Sequence, residues 1–199
     1  MWHFLDIKDF DRERLSSLLD TARDMKSGHD VGRPLDGLHI GMIFEKPSTR
    51  TRVSFEVGIS QLGGTPVFLA ASDLQLGRGE TVGDTAKVLS RYLDGLMIRA
   101  MKHQTLTEFV KHATVPVING LTDRSHPCQI LADLQTVIEH HGSLKNEVIV
   151  WFGDVNNVAN SWIEAAALFG FELRLVGPEA YHPSAELIAW ALEKGANIV

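Results

Sequence analysis

The feature that most constrains this chain is an alternation. Short apolar runs of strand length give way, again and again, to longer segments whose apolar residues fall at helical spacing. Residues 38–44, 65–70, 95–99, 115–119, 148–152 and 173–176 read as buried strands, and another begins at Asn197. The stretches between them read as helices: about 48–62, stopped by Gly63-Gly64, then 105–112, 127–141, 157–169 and 184–194. Thr81 can cap a further helix, with Asp84 three residues on and Val82, Ala86, Leu89 and Leu93 facing inward. Ahead of the first strand, Leu15, Leu18, Leu19, Ala22 and Met25 keep helical spacing after Asp9 and Asp11, either of which can cap. Strand–helix alternation predicts an α/β fold, with parallel sheets flanked by helices.

The segment 140–146 reads as a break between domains. The expected division is a first domain over 1–141 and the start of a second, Rossmann-like α/β domain over 147–199. The second reads as unfinished, because a three-stranded α/β unit has little core.

Composition narrows the function classes. The 199 residues are 44% hydrophobic and 22% charged, ordinary globular usage. Nineteen Lys and Arg against 25 Asp and Glu give a net charge of −6, which counts against general binding to nucleic acid or anionic membrane. No segment approaches the ~20 apolar residues of a membrane span, and the charged N-terminus does not read as a secretory leader. The lone Cys128 excludes an internal disulfide and a cysteine-based zinc cluster. It fits a reducing, cytoplasmic setting. The nine histidines lack His-x-x-x-His spacing, so no metal is expected.

Four constellations carry chemistry. Ser48-Thr49-Arg50-Thr51-Arg52 follows a strand and opens a helix, where free backbone N–H groups and the positive dipole end suit a phosphate. The hydroxyls add donors, and the arginines add planar forks that match phosphate oxygens. A capped helix with two solvated arginines is the plainer reading of the same residues. His126-Pro127-Cys128-Gln129 opens the long helix: Pro127 suits its first turn, His126 can donate to a carbonyl oxygen gaining charge, and Gln129 can meet an amide. Arg99 ends a strand, the edge at which open parallel sheets bind ligands. Gly153-Asp154-Val155-Asn156-Asn157 forms another strand-to-helix turn, suited to a cap or to a second substrate. Cys128 reads as a small packed residue rather than a nucleophile.

Together these residues resemble the aspartate/ornithine carbamoyltransferase family. Residues 48–52 with Val53-Ser54-Phe55-Glu56 are similar to its carbamoyl-phosphate signature, and His126–Gln129 with Leu131-Ala132-Asp133 to its second signature. Gly153-Asp154 with Asn156-Asn157, and Asp73-Leu74-Gln75-Leu76-Gly77, resemble the ornithine branch. The resemblance implies carbamoyl transfer from carbamoyl phosphate to L-ornithine, without a cofactor or metal. Ser48, Thr49, Arg50 and Thr51 would hold the phosphate, and Gln75 would reach the site from a neighbouring subunit of a homotrimer. Arg99 would bridge phosphate and carbonyl oxygen, and His126 would polarise the carbonyl. Gln129, beside Pro127 and Cys128, would hold the carbamoyl amide, and Asn157 would meet the amino-acid end of ornithine. Arg50, Arg99 and His126 are thus the expected catalytic residues. Other readings are a putrescine or other amine carbamoyltransferase, a non-catalytic carbamoyl-phosphate-binding module, and a general α/β phosphate-binding protein. The family's Ser-Met-Gly and His-Cys-Leu-Pro motifs do not occur in these residues.

Overall fold

The computed structural model describes residues 1–70, 72, 74 and 79–199. In chain order the helices are α1 (Arg12–Lys26), α2 (Thr49–Gln61), α3 (Val82–Leu89), α4 (His103–His112), α5 (Pro127–His141), α6 (Asn157–Phe169) and α7 (Ala185–Glu193). The strands are β1 (His39–Phe44), β2 (Thr65–Ala70), β3 (Gly95–Arg99), β4 (Val117–Leu121), β5 (Val148–Phe152), β6 (Glu172–Val176) and β7 (Asn197–Ile198). None of these helices is long and apolar enough to cross a membrane.

The chain packs as two compact units, Met1–Leu5 with Asp30–Asp123, and Asp6–His29 with Arg124–Val199. Packing groups α1 and α5 with the second sheet. The reason is local: α1 and α6 both pack on α5, whose buried face carries Pro127, Ile130 and Leu134.

The first unit holds a parallel sheet in the order β2-β1-β3-β4. The period-2 alternation of its central strands divides the core between two faces. Met42 and Phe44 of β1 and Met97 of β3 pack with Ile59 and Phe55 of α2. Ile43, Leu96 and Ile98 point the other way and pack with Ala86 of α3 and with Leu106 and Phe109 of α4. Both faces are therefore covered by helices.

The second unit holds the parallel sheet β5-β6-β7. Helix α6 lies against β6 and β7, with Ile163, Ala166 and Leu173 fully buried. The other face of β5 and β6 is open: Val148, Val150 and Val176 are exposed, and Phe152 is 79% exposed. Among the described residues, helices cover one face of this sheet.

Three boundaries differ from those read in the sequence. Strand β4 begins at Val117, not 115, because Pro116 brings no N–H to the ladder. Helix α4 begins at His103, not 105, because Asp123 Oδ1 accepts the His103 N–H (2.8 Å), a cap supplied from 20 residues away. Helix α3 stops at Leu89, so Leu93 reaches the core from the turn beyond it. At the front of α3, Thr81 Oγ1 accepts the Asp84 N–H (3.1 Å) and donates to Asp84 Oδ2 (2.8 Å). Asp11, not Asp9, caps α1, accepting the Arg14 N–H at 2.8 Å.

Candidate active site

In the first unit the site grows from the C-terminal ends of β1 and β3. Past the end of β1, the Glu45 N–H donates to the Arg99 carbonyl (2.9 Å), and Glu45 Oε2 accepts the Met101 N–H (2.5 Å). These bonds hold the start of the 45–47 loop against the end of β3. The loop delivers Ser48 in extended conformation as the N-cap of α2. Ser48 Oγ accepts the Thr51 N–H (3.4 Å) and donates to Thr51 Oγ1 (3.0 Å). Arg99 Nη1 also donates to Thr51 Oγ1, at 3.3 Å. With two donors aimed at it, the Thr51 hydroxyl keeps its own hydrogen for a further acceptor.

Arg99 owes its place to a bulge. Ile98 pairs with Asn119, but Arg99 pairs with Leu121, so Gly120 is the extra residue on β4. A side chain there would meet Met97 Sδ at 2.4 Å and the Ile98 carbonyl at 3.3 Å, which is why the position takes glycine. Arg99 is half-buried, and its Nε–H is buried without an acceptor among the described residues. Burial pulls the guanidinium pKa down from its ordinary value, yet arginine stays charged in proteins. A buried donor lacking an acceptor is costly in isolation. An oxygen-rich anion at this edge would supply the acceptor.

The two arginines of the signature part ways. Helical residues two positions apart in sequence stand about 200° apart around the axis. Arg50 is exposed and has no ion-pair partner among the described residues. Arg52 lies 3.7 Å over the Phe68 ring and pairs with Glu56 at 3.4 Å. It lines a cavity of about 470 Å³ with Phe44, Pro47, Ser48, Thr49 and Phe68. Arg52 is thus engaged on the apolar side of the helix, and Arg50 is the one left for an anion. The first-turn N–H groups of Thr49 and Arg50 have no acceptor within the helix by its geometry.

In the second unit, His126 is the N-cap residue of α5 and Pro127 its first helical residue. The His126 N–H donates to Ser161 Oγ at 2.9 Å. One turn along, exposed Gln129 donates through Nε2 to Asp133 Oδ1 (2.8 Å), so its carbonyl oxygen is the atom left to accept. Burial raises the Asp133 pKa, opposed by this bond. Burial also pushes the Cys128 thiol up to about 12, which keeps it protonated. In the 153–157 turn the cap is Asn156, whose Oδ1 accepts from Val158 N (2.9 Å) and Ala159 N (3.3 Å). Asn157 is half-buried at the first position of α6, and its carbonyl accepts from Ser161 Oγ at 3.4 Å.

The structure therefore gathers Ser48, Thr49, Arg50, Thr51 and Arg99 at one edge of the first unit. It sets His126, Pro127, Cys128, Gln129 and Asn157 on two helix N-termini of the second. Gln75 lies outside the described residues, as do Asp73, Leu76 and Gly77. Sequence reasoning passed over Gly120, although a glycine inside an apolar strand is the ordinary signal of a bulge. It also passed over Ser161, for which no local signal exists.

Residues 2–139 match the model of the aspartate/ornithine carbamoyltransferase, carbamoyl-P binding domain, and residues 145–198 match that of the Asp/Orn binding domain. The chain is 51% identical over 200 residues to an ornithine carbamoyltransferase of Rhizobium meliloti, covering 99% of this chain and 66% of the relative. It is 53% identical over 192 residues to the anabolic ornithine carbamoyltransferase of Pseudomonas aeruginosa, covering 95% and 63%. The structure of the Pyrococcus furiosus ornithine carbamoyltransferase superposes with a TM-score of 0.92 at 46% identity, covering 98% of this chain and 65% of that one. The anabolic enzyme of Campylobacter jejuni gives 0.92 at 42% identity, covering 100% and 66%. The chain thus spans just under two thirds of the length of these relatives. By both domain models, at this identity, the chain belongs to the aspartate/ornithine carbamoyltransferase family.

Proposed function

We propose that this chain carries the carbamoyl-phosphate site of an enzyme that transfers the carbamoyl group to the δ-amine of L-ornithine, giving citrulline and phosphate. The observation that carries the reading is the chain Arg99–Thr51–Ser48 at the N-terminus of α2, with a buried Arg99 Nε–H in want of an acceptor. The identity of the relatives favours ornithine over aspartate and over putrescine as acceptor.

In this reading Ser48, Thr49, Arg50 and Thr51 bind the phosphate, with the first-turn amides of α2 as further donors. Arg99 bridges phosphate and carbonyl oxygen. His126 donates to the carbonyl oxygen. The Gln129 carbonyl accepts from the carbamoyl amide, because Asp133 holds its amide nitrogen. Pro127 and the protonated Cys128 shape this helix start without entering the chemistry. Asn157 meets the amino-acid end of ornithine. The neutral amine attacks the carbonyl carbon; the C–N bond forms, the C–O bond to phosphate breaks, and the proton that the amine loses ends on the departing phosphate. The work is positioning and stabilisation of the oxyanion and the leaving phosphate, which these side chains supply. We also propose a homo-oligomer, a trimer in which Gln75 serves a neighbouring site, working in the reducing cytoplasm that a lone thiol suits.

Calorimetric titration with carbamoyl phosphate and with inorganic phosphate tests the site, with Arg50→Ala as control. Carbamoyl phosphate should bind more tightly than phosphate, and Arg50→Ala should abolish the difference. Equal affinity for the two ligands would reduce the protein to a general phosphate binder. A citrulline-formation assay with ornithine and putrescine then tests the acceptor.

A further inference from the structure

Three consecutive residues before α5 are each tied to a distant part of the second unit. The Arg124 carbonyl accepts from Asn160 Nδ2 at 3.0 Å. Ser125 Oγ donates to Asp6 Oδ1, and the other oxygen of that carboxylate faces Arg124 Nη2 at 3.5 Å. The His126 N–H donates to Ser161 Oγ at 2.9 Å. Asp6, Ser125 and Ser161 are all buried. The anchors come from Asp6 and from the first turn and a half of α6, up to 119 residues away along the chain.

A serine buried within a helix is an odd choice on local grounds. Its hydroxyl competes with the helix ladder, and alanine would pack there without a polar group to satisfy. Its one local bond is the long back-bond to the Asn157 carbonyl, at 3.4 Å. What the hydroxyl adds is an acceptor for the His126 N–H. The His126 carbonyl accepts the Ile130 N–H (3.3 Å), as the first turn of α5 requires, and the Ser161 hydroxyl takes the N–H on the other side of the same residue; the His126 side chain does not cap α5, and Pro127 brings no N–H. A ring that must meet a developing oxyanion has to be held to within about 0.5 Å.

We propose that Ser161 is a positioning residue: through its bond to the His126 backbone, backed by Asn160 and Asp6, it sets the His126 ring for the carbamoyl carbonyl. Because Asn157 and Ser161 are i and i+4 on α6 and share a hydrogen bond, the same turn ties the two proposed substrate contacts together. The inference rests on the proposed carbamoyl-phosphate site.

The test compares wild type, Ser161→Ala, Ser161→Thr and Asn160→Ala in the 199-residue chain. The first readout is amide hydrogen exchange at His126 by NMR; the second is the affinity for carbamoyl phosphate and for inorganic phosphate. In Ser161→Ala the His126 amide should exchange roughly tenfold faster, while core amides such as Leu173 keep their rates. Carbamoyl phosphate should bind roughly 3- to 10-fold more weakly, with phosphate affinity unchanged. Threonine, which keeps the hydroxyl, should restore both. Asn160→Ala should act in the same direction and less strongly. Unchanged His126 exchange in Ser161→Ala would overturn the proposal. So would a uniform rise across the unit, which means lost stability rather than lost position. A wild type that binds no carbamoyl phosphate would refute the reading of the whole site, and the exchange data distinguish that failure from failure of the clamp.

Discussion

Arg99 and Thr51, 48 residues apart, meet where Arg99 Nη1 donates to Thr51 Oγ1 at 3.3 Å, joining the end of β3 to the first turn of α2. The bond aims a half-buried guanidinium with a chain of hydroxyls, Ser48 behind Thr51, rather than with a carboxylate. A carboxylate would have neutralised it. A hydroxyl orients the cation and leaves its charge for an anion.

That arrangement predicts different outcomes for two substitutions of one residue. Thr51→Val keeps the shape and removes the hydroxyl, and should weaken carbamoyl-phosphate binding by about tenfold. Thr51→Ser should stay within about twofold of wild type. Titration calorimetry reads both. Equal affinities in the two variants would mean that the hydroxyl has no part in the site.

Two glycines should respond to alanine with opposite signs. At Gly120 the new Cβ would meet Met97 Sδ at 2.4 Å and the Ile98 carbonyl at 3.3 Å, in a fully buried layer. Overpacking of this kind costs about 1–3 kcal/mol. It should lower the melting temperature and, by shifting the bulge, weaken carbamoyl-phosphate binding. At Gly58, inside α2, a Cβ meets nothing within 4 Å. Gly58→Ala should stabilise by up to about 1 kcal/mol through helix propensity alone. Thermal melts decide both.

Glu164 makes the second unit sensitive to pH. Burial, and then the Asp6 carboxylate, raise its pKa from the ordinary 4.5 to about 7, opposed by Lys8 at 3.4 Å. A carboxyl group with a raised folded pKa keeps its proton while the unfolded chain loses one. Stability should therefore fall as pH rises from about 4.5 to about 7 and level off above, by at most on the order of 3 kcal/mol. Glu164→Gln should flatten this profile and be the more stable form at pH 8. Denaturant titrations at pH 5 and pH 8 measure it; a wild-type profile that rises with pH over that interval would contradict the assignment.

Cys128 should be chemically quiet. A thiol pushed up to about 12 holds few thiolates at pH 8, so alkylation should run at least ~10-fold slower than for a free cysteine, after allowing for the greater nucleophilicity of a high-pKa thiolate. Rapid alkylation of the folded chain would show the thiol to be more open than its packing implies.

The strands and helices were legible because periodicity is local. An apolar run of strand length and a 3.6-residue stripe each announce themselves within a dozen residues. The phosphate loop was legible for the same reason: Ser48 caps a helix that begins at the next residue, and strand, loop and cap lie together in sequence. Where the start of β4 was set too early the cause was local, at Pro116; the other differences had causes elsewhere in the chain. The start of α4 is set by Asp123, 20 residues away. Arg52 looked equivalent to Arg50 until Phe68, on β2, claimed it.

The sequence by itself determined the alternating α/β plan, the helix cap at Thr81, a capped helix start at the Ser48–Thr49 signature, and the cluster of hydroxyls and arginines there. These follow from neighbours along the chain, whose geometry the backbone fixes. Tertiary structure alone decided that Thr51 would meet Arg99 and that Ser161 would hold the backbone of His126. Each joins residues from different elements, and such contacts depend on how the strands register and where the helices come to rest. Those are settled by burial of side chains over a whole unit, which no short stretch of sequence records.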